Sequence, residues 1–187
     1  MSVTLTNLET KVRYLINDVS TSSAPDSFIY TSSSVFTLTE DNVISVTEVD
    51  VNSADIGDSN WAHNTTTNKV TISSSLSTGD TVEIYYTYYP NYSSTILQGY
   101  IRAALVHISA NNYKDFIEEA TYIFPEPDER EKNLIAMITA LLIDPDNKSY
   151  RLPDISYAVP SDLPTHTKIS RIIGIFKKNT HGLFEVL

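Results

Sequence analysis

The hydrophobic period of this chain changes twice, and that change limits the folds that it can adopt. Residues 6–19 and 94–111 place apolar side chains every three or four positions, as one face of an α-helix does. Residues 28–89 instead contain runs in which β-branched and aromatic residues alternate with polar ones, as half-buried strands do. The sequence therefore predicts an α+β protein, a small helical bundle with an antiparallel β-sandwich or barrel inserted after the first helix.

Residues 94–111 carry the clearest helical signal. The repeating apolar positions are Leu97, Ile101, Ala104, Leu105 and Ile108. Thr95 and Gln98 have the spacing of a capping box at the helix start, and Asn111 with Asn112 is a stop signal. We expect this helix to lie at the centre of the helical core.

Three further helices are predicted from caps and apolar spacing. The first helix has a potential capping box in Thr6 and Glu9, and another box, Asp128 with Glu131, precedes a strongly apolar stripe. A last helix is predicted over residues 165–179. The prolines between these last two helices indicate an extended crossing segment.

The inserted segment contains three clear strand patterns, Val43–Val51, Lys69–Ile72 and residues 81–89. In the third, Val82, Ile84, Tyr86 and Tyr88 share one face and Glu83, Tyr85 and Thr87 share the other. The single tryptophan, Trp61, lies in a polar loop and is expected to cover the β core. The same residues leave open an alternative function, in which this segment is a binding module that recognises glycan or another surface.

The charge of the chain is negative and uneven. The net charge is −10, and nine acidic residues against Lys69 give residues 20–92 a charge of −8. Proteins that bind nucleic acid tightly show a broad basic footprint, which this sequence does not have.

No arrangement of residues in the sequence indicates a catalytic or metal-binding site. The absence of cysteine excludes disulfides and thiolate metal sites, and the four histidines have no metal-binding spacing. We expect no metal, no cofactor and no enzymatic activity. The N-terminal residues lack the pattern of a signal peptide, and no apolar stretch approaches the length of a membrane span. We therefore expect a soluble protein made in the cytoplasm, with no membrane partner.

Two helical segments carry a resemblance to a known family. Residues 12–18 read VRYLIND and residues 100–105 read YIRAAL, the latter followed by an acid-capped apolar helix. In this order the segments resemble the head–tail connector (adaptor) proteins of tailed bacteriophages. The resemblance covers about half of the chain, and residues 28–89 depart from it because the simplest members have a short loop there.

The resemblance implies a virion structural protein of the neck, between head and tail. Such adaptors assemble as a ring under the portal, commonly of twelve copies, and extend the DNA channel to the tail. The implied partners are the portal protein, tail or neck proteins and further copies of the chain, with DNA passing through without sequence-specific binding. An adjacent tail-completion or neck protein remains an alternative.

The resemblance also predicts how the chain divides into domains and which residues contact partners. Residues 1–24 and 93–180 are predicted to form the connector domain, residues 25–92 an inserted β domain, and residues 181–187 a C-terminal tail with a strand-like alternation. The apolar tail residues predicted to contact the portal are Leu183, Phe184, Val186 and Leu187. Folding of this tail onto its own subunit is the alternative. The residues predicted to meet a neighbouring subunit, because they lie off the apolar stripe, are Tyr100, Arg102 and His107.

Overall fold

The computed structural model describes residues 3–146, 149–152, 155–158 and 163–181. Within them the chain is α+β, with four α-helices and antiparallel sheets, so the predicted class is confirmed. The chain divides into two units, which we call the helical unit (residues 1–17 and 94–187) and the β unit (residues 18–93).

The β unit contains two antiparallel sheets. Its strands are β1 (Thr21–Ser22), β2 (Asp26–Ile29), β3 (Val35–Thr37), β4 (Val43–Val51), β5 (Ala54–Asp55), β6 (Trp61–Asn64), β7 (Lys69–Ile72) and β8 (Thr81–Tyr88). One sheet has the order β1-β8-β4-β5, with β2 also paired to β8, and the other has the order β3-β7-β6. Strands of both sheets contribute to one apolar core, so each sheet covers the other's buried side chains. The predicted sandwich or barrel stays a prediction.

Strand β8 shows why this segment folds as it does. The side chains of Val82, Ile84 and Tyr86 are buried, and those between them lie on the opposite face, as the alternation predicts. The turn before β8 uses Gly79 at φ 97°, a conformation that a residue with a Cβ atom rarely adopts. The predicted alternation of this strand is confirmed.

The two ends of the β unit lie together. Strand β1 pairs with the end of β8, with Thr21 opposite Tyr88. The carboxylate oxygen Oδ1 of Asp18 accepts hydrogen bonds from the backbone N–H and the side-chain amide of Asn91, at 3.1 and 3.3 Å. A chain that enters and leaves at one place can be inserted between two helices without separating them.

The helical unit is arranged around its third helix. The helices are α1 (Leu5–Leu15), α2 (Ser94–Ala110), α3 (Glu129–Ile143) and α4 (Thr165–His181). Helix α3 packs against the other three, and its residues 133–141 are all buried. A helix that is apolar on all sides is buried on all sides. The expectation that α2 forms the centre of the core is therefore wrong.

Helix α1 begins at a different cap from the predicted one. Thr4 is the N-cap: its hydroxyl accepts from the N–H of Asn7 at 3.3 Å, and Asn7 Oδ1 accepts from the N–H of Thr4 at 3.0 Å. This satisfies two backbone donors that have no partner inside the helix. Thr6 lies within the helix, so the capping box predicted from Thr6 and Glu9 is wrong.

Glu9 instead forms a buried polar network between α1 and α2. Its Oε1 accepts hydrogen bonds from Arg13 Nη2 and from the hydroxyl of Ser94, both at 2.7 Å, and its Oε2 accepts from Gln98 at 3.5 Å. Both charged side chains are less than 8% exposed. Because Thr95 is the second residue of α2 and Gln98 turns towards Glu9, the capping box predicted from them is also wrong.

The ends of α2 and α3 follow the sequence. Asn112 takes a left-handed conformation, φ 52°, and the N–H of Tyr113 donates to the carbonyl of Ile108, which closes the helix as a Schellman motif does. The capping box predicted from Asp128 and Glu131 is confirmed, with N–H···O distances of 2.7 and 2.9 Å. Helix α4 continues to His181, two residues beyond its predicted end.

Two hairpins of the helical unit were not predicted. Strands β9 (Ile117–Glu119) and β10 (Tyr122–Phe124) form the first, between α2 and α3. Strands β11 (Ser149–Leu152) and β12 (Ile155–Ala158) form the second, at the start of the segment expected to be merely extended. The first hairpin also pairs with the residues before α1, because the N–H of Ile123 donates to the carbonyl of Val3 at 3.1 Å.

Candidate interaction surfaces

The three residues predicted to meet a neighbouring subunit lie on two different sides of α2. Tyr100 and His107 are seven residues apart and therefore share one side, where both are half-buried. Arg102 lies on the other side and is exposed. The structure thus places all three beside the buried stripe, as predicted, but does not bring them together into one site.

Arg102 has a partner within its own chain. Its Nε and Nη2 donate to the two carboxylate oxygens of Glu118 on β9, at 2.7 and 2.8 Å. These hydrogen bonds lower the pKa of Glu118 and raise that of Arg102. The Arg102 side chain is 48% exposed, so the pair contributes little stability but fixes the position of the hairpin beside α2.

Helix α2 has a second apolar face, directed to solvent, which the sequence analysis missed. This face, the α2 outer face, consists of Ile96, Gly99, Ala103, Val106 and Ala110. Their spacing alternates between three and four residues, as along the seam of a coiled coil. None of them is charged, and the Val106 side chain is 67% exposed. The signal was present in the sequence, since apolar residues surround this helix on more than one side.

The hairpin β9–β10 also directs apolar side chains outward. The exposed side chains, which we call the hairpin outer face, are Ile117, Tyr122 and Phe124. Ile117 and Phe124 stand directly opposite each other, and Tyr122 stands opposite the exposed Glu119. Ile123, on the opposite face of the hairpin, is buried. Sequence reasoning missed this surface because it did not predict the strands.

The outer side of the larger β sheet carries acidic residues at neighbouring positions. Asp50 on β4 stands opposite Glu83 on β8 and opposite Asp55 on β5. Glu48 stands opposite Tyr85, whose pKa is raised by burial and then by the charges of Glu83, Asp50 and Glu48. Like charges directly opposite each other destabilise a sheet, so this face costs the β unit stability.

Several aromatic residues of the β unit contribute to its core. Trp61 packs against the core cluster, which confirms that it covers the β core. Its indole N–H is buried and has no acceptor among the described residues, so it is not presented at the surface. The Tyr86 ring is buried, and its hydroxyl donates to Asp26 at 3.1 Å. These positions give no support to a glycan-binding surface built on Trp61.

The predicted portal-contact residues lie outside the described residues; they are Leu183, Phe184, Val186 and Leu187. In the part of the chain that the structure describes, no three His, Asp or Glu side chains are grouped to hold a metal ion. No helix in that part is both long and apolar enough to cross a bilayer.

Comparison with known proteins gives no family for the chain. No model of a protein family matches it, and no curated protein sequence matches it.

Proposed function

We propose that this protein is a virion structural component, a head–tail connector that forms a ring under the portal and extends the DNA channel to the tail. The observation that carries the proposal is the position of the two segments that resemble connectors. Residues 12–18 begin in α1 and residues 100–105 lie in α2, and these helices pack together in one unit. Arg13, from the first segment, is part of the buried network that joins the two helices.

The distribution of charge supports a role as a conduit. Ten acidic residues and one lysine give the β unit a net charge of −9. In the helical unit, several basic side chains are held by carboxylates of the same unit, as Lys114 is by Glu131 at 2.7 Å. An acidic surface releases few counterions from DNA and holds it weakly, so a duplex can slide past it.

The proposed partners follow from the connector role. The ring contains about twelve copies, as is common in the family that the chain resembles, and takes its place in the neck of the virion. The apolar tail contacts the portal by adding a strand to one of its sheets, through Leu183, Phe184, Val186 and Leu187. Tail or neck proteins are further partners of the ring, and the protein has no catalytic activity.

Electron microscopy and native mass spectrometry of the purified protein with its portal test this proposal. We expect a ring bound coaxially to the portal. A protein that stays monomeric and does not bind the portal contradicts the connector role. A ring that binds only the portal–connector complex, and not the portal alone, assigns the chain instead to the next ring of the neck.

The portal contact has its own test. Deletion of residues 182–187 is expected to abolish portal binding while leaving the helical circular dichroism unchanged. A matched variant keeps the length of the tail but replaces Leu183 and Phe184 by serine, which removes apolar area without shortening the chain. Unchanged portal binding by both variants rules out the tail as the contact and leaves the ring proposal intact.

A further inference from the structure

We draw no further inference here: the strongest candidate, the uncharged α2 outer face on the solvent side of the helical unit, is an exposed apolar surface, and nothing in the structure shows what covers it.

Discussion

The two units of this protein hold their charges in different ways. In the helical unit, cations and carboxylates are paired across elements, as Lys11 of α1 is with Glu129 of α3. In the β unit, Asp50 stands between Glu83 and Asp55, and Lys69 is the single lysine or arginine of residues 18–93. Paired charges set the geometry of the helices, whereas the sheet tolerates repulsion because its apolar core holds the strands. Mutation, pH and salt should therefore act differently on the two units.

The largest difference is expected from Glu9→Ala in the helical unit. This change removes the Glu9 carboxylate from its buried ion pair with Arg13, and removing one partner of a buried ion pair costs about 3–5 kcal/mol. Urea unfolding followed by circular dichroism at the helix band measures the loss. Fluorescence of Trp61, the single tryptophan of the chain, reports on the β unit and is expected to keep its midpoint.

The matched control for this prediction is Glu129→Ala. Its ion pairs are exposed, so the expected loss is below about 1 kcal/mol. Equal losses for the two variants would show that the Glu9 network is no stronger than a surface pair. A shift of the Trp61 transition together with the helical one would show that the two units unfold in a single transition. It would contradict the expectation that mutations act on them separately.

A smaller effect is expected from Tyr86→Phe in the β unit. The hydroxyl of Tyr86 donates to Asp26, and loss of a hydrogen bond to a charged group costs about 1.5–3 kcal/mol. Burial, followed by this hydrogen bond, raises the pKa of Tyr86 to about 12.

The same pKa predicts how the β unit responds to alkali. Because the folded state holds the Tyr86 proton more tightly than the unfolded state does, its contribution is complete below pH 10 and is lost as the pH rises towards 12. The Trp61 midpoint in urea is therefore expected to fall with pH in this window more steeply in the wild type than in Tyr86→Phe. Identical slopes for the two proteins would show that Tyr86 is not the group responsible for this loss of stability.

The parts of the fold that the sequence predicted are those fixed by neighbouring residues. Asp128 and Glu131 cap α3 with side chains three residues apart, and the alternation of β8 decides which of its side chains are buried. The hairpin β9–β10 could not be predicted in this way. Its strands have three residues each, and its turn places an alanine, Ala120, rather than a glycine at positive φ.

The candidate surfaces depend on contacts between distant residues. Arg102 was predicted to be available to a neighbour, but Glu118, sixteen positions later, holds it within the chain. In the sequence, the only sign of the α2 outer face was the small number of charged residues in this helix. Whether such a face lies against the same chain or against solvent depends on where α3 and the hairpin pack, and local spacing does not determine that.

The acidic face of the β unit should respond to neutralisation and to salt. Glu83→Gln removes a like charge opposite Asp50 and is expected to stabilise the β unit by about 0.5 kcal/mol at low ionic strength. The gain should shrink as salt screens the remaining repulsion. The control is Asp41→Asn, an exposed acid in the turn before β4. An equal gain for both variants would show that net charge, and not the position opposite Asp50, sets the effect.

A small effect is also expected when one turn from each unit is compared. Ala120 occupies the hairpin turn at φ 58°, where a Cβ atom costs about 1–2 kcal/mol, and glycine there loses about 0.5–1 kcal/mol through its freer unfolded chain. Ala120→Gly is therefore expected to stabilise the helical unit by a few tenths to about 1 kcal/mol. Circular dichroism at the helix band measures the gain.

The opposite exchange, Gly79→Ala, makes the comparison between the units complete. Gly79 has φ 97°, and an added Cβ atom would meet nothing within 4 Å, so backbone strain and chain entropy, and not a steric clash, decide the outcome. We expect a loss of about 1 kcal/mol in the Trp61 transition. The two exchanges should therefore have opposite signs, because alanine already bears this strain in one turn and glycine avoids it in the other. If both variants are destabilised, Ala120 is held by its surroundings and not merely tolerated, and the hairpin is more rigid than its short strands suggest.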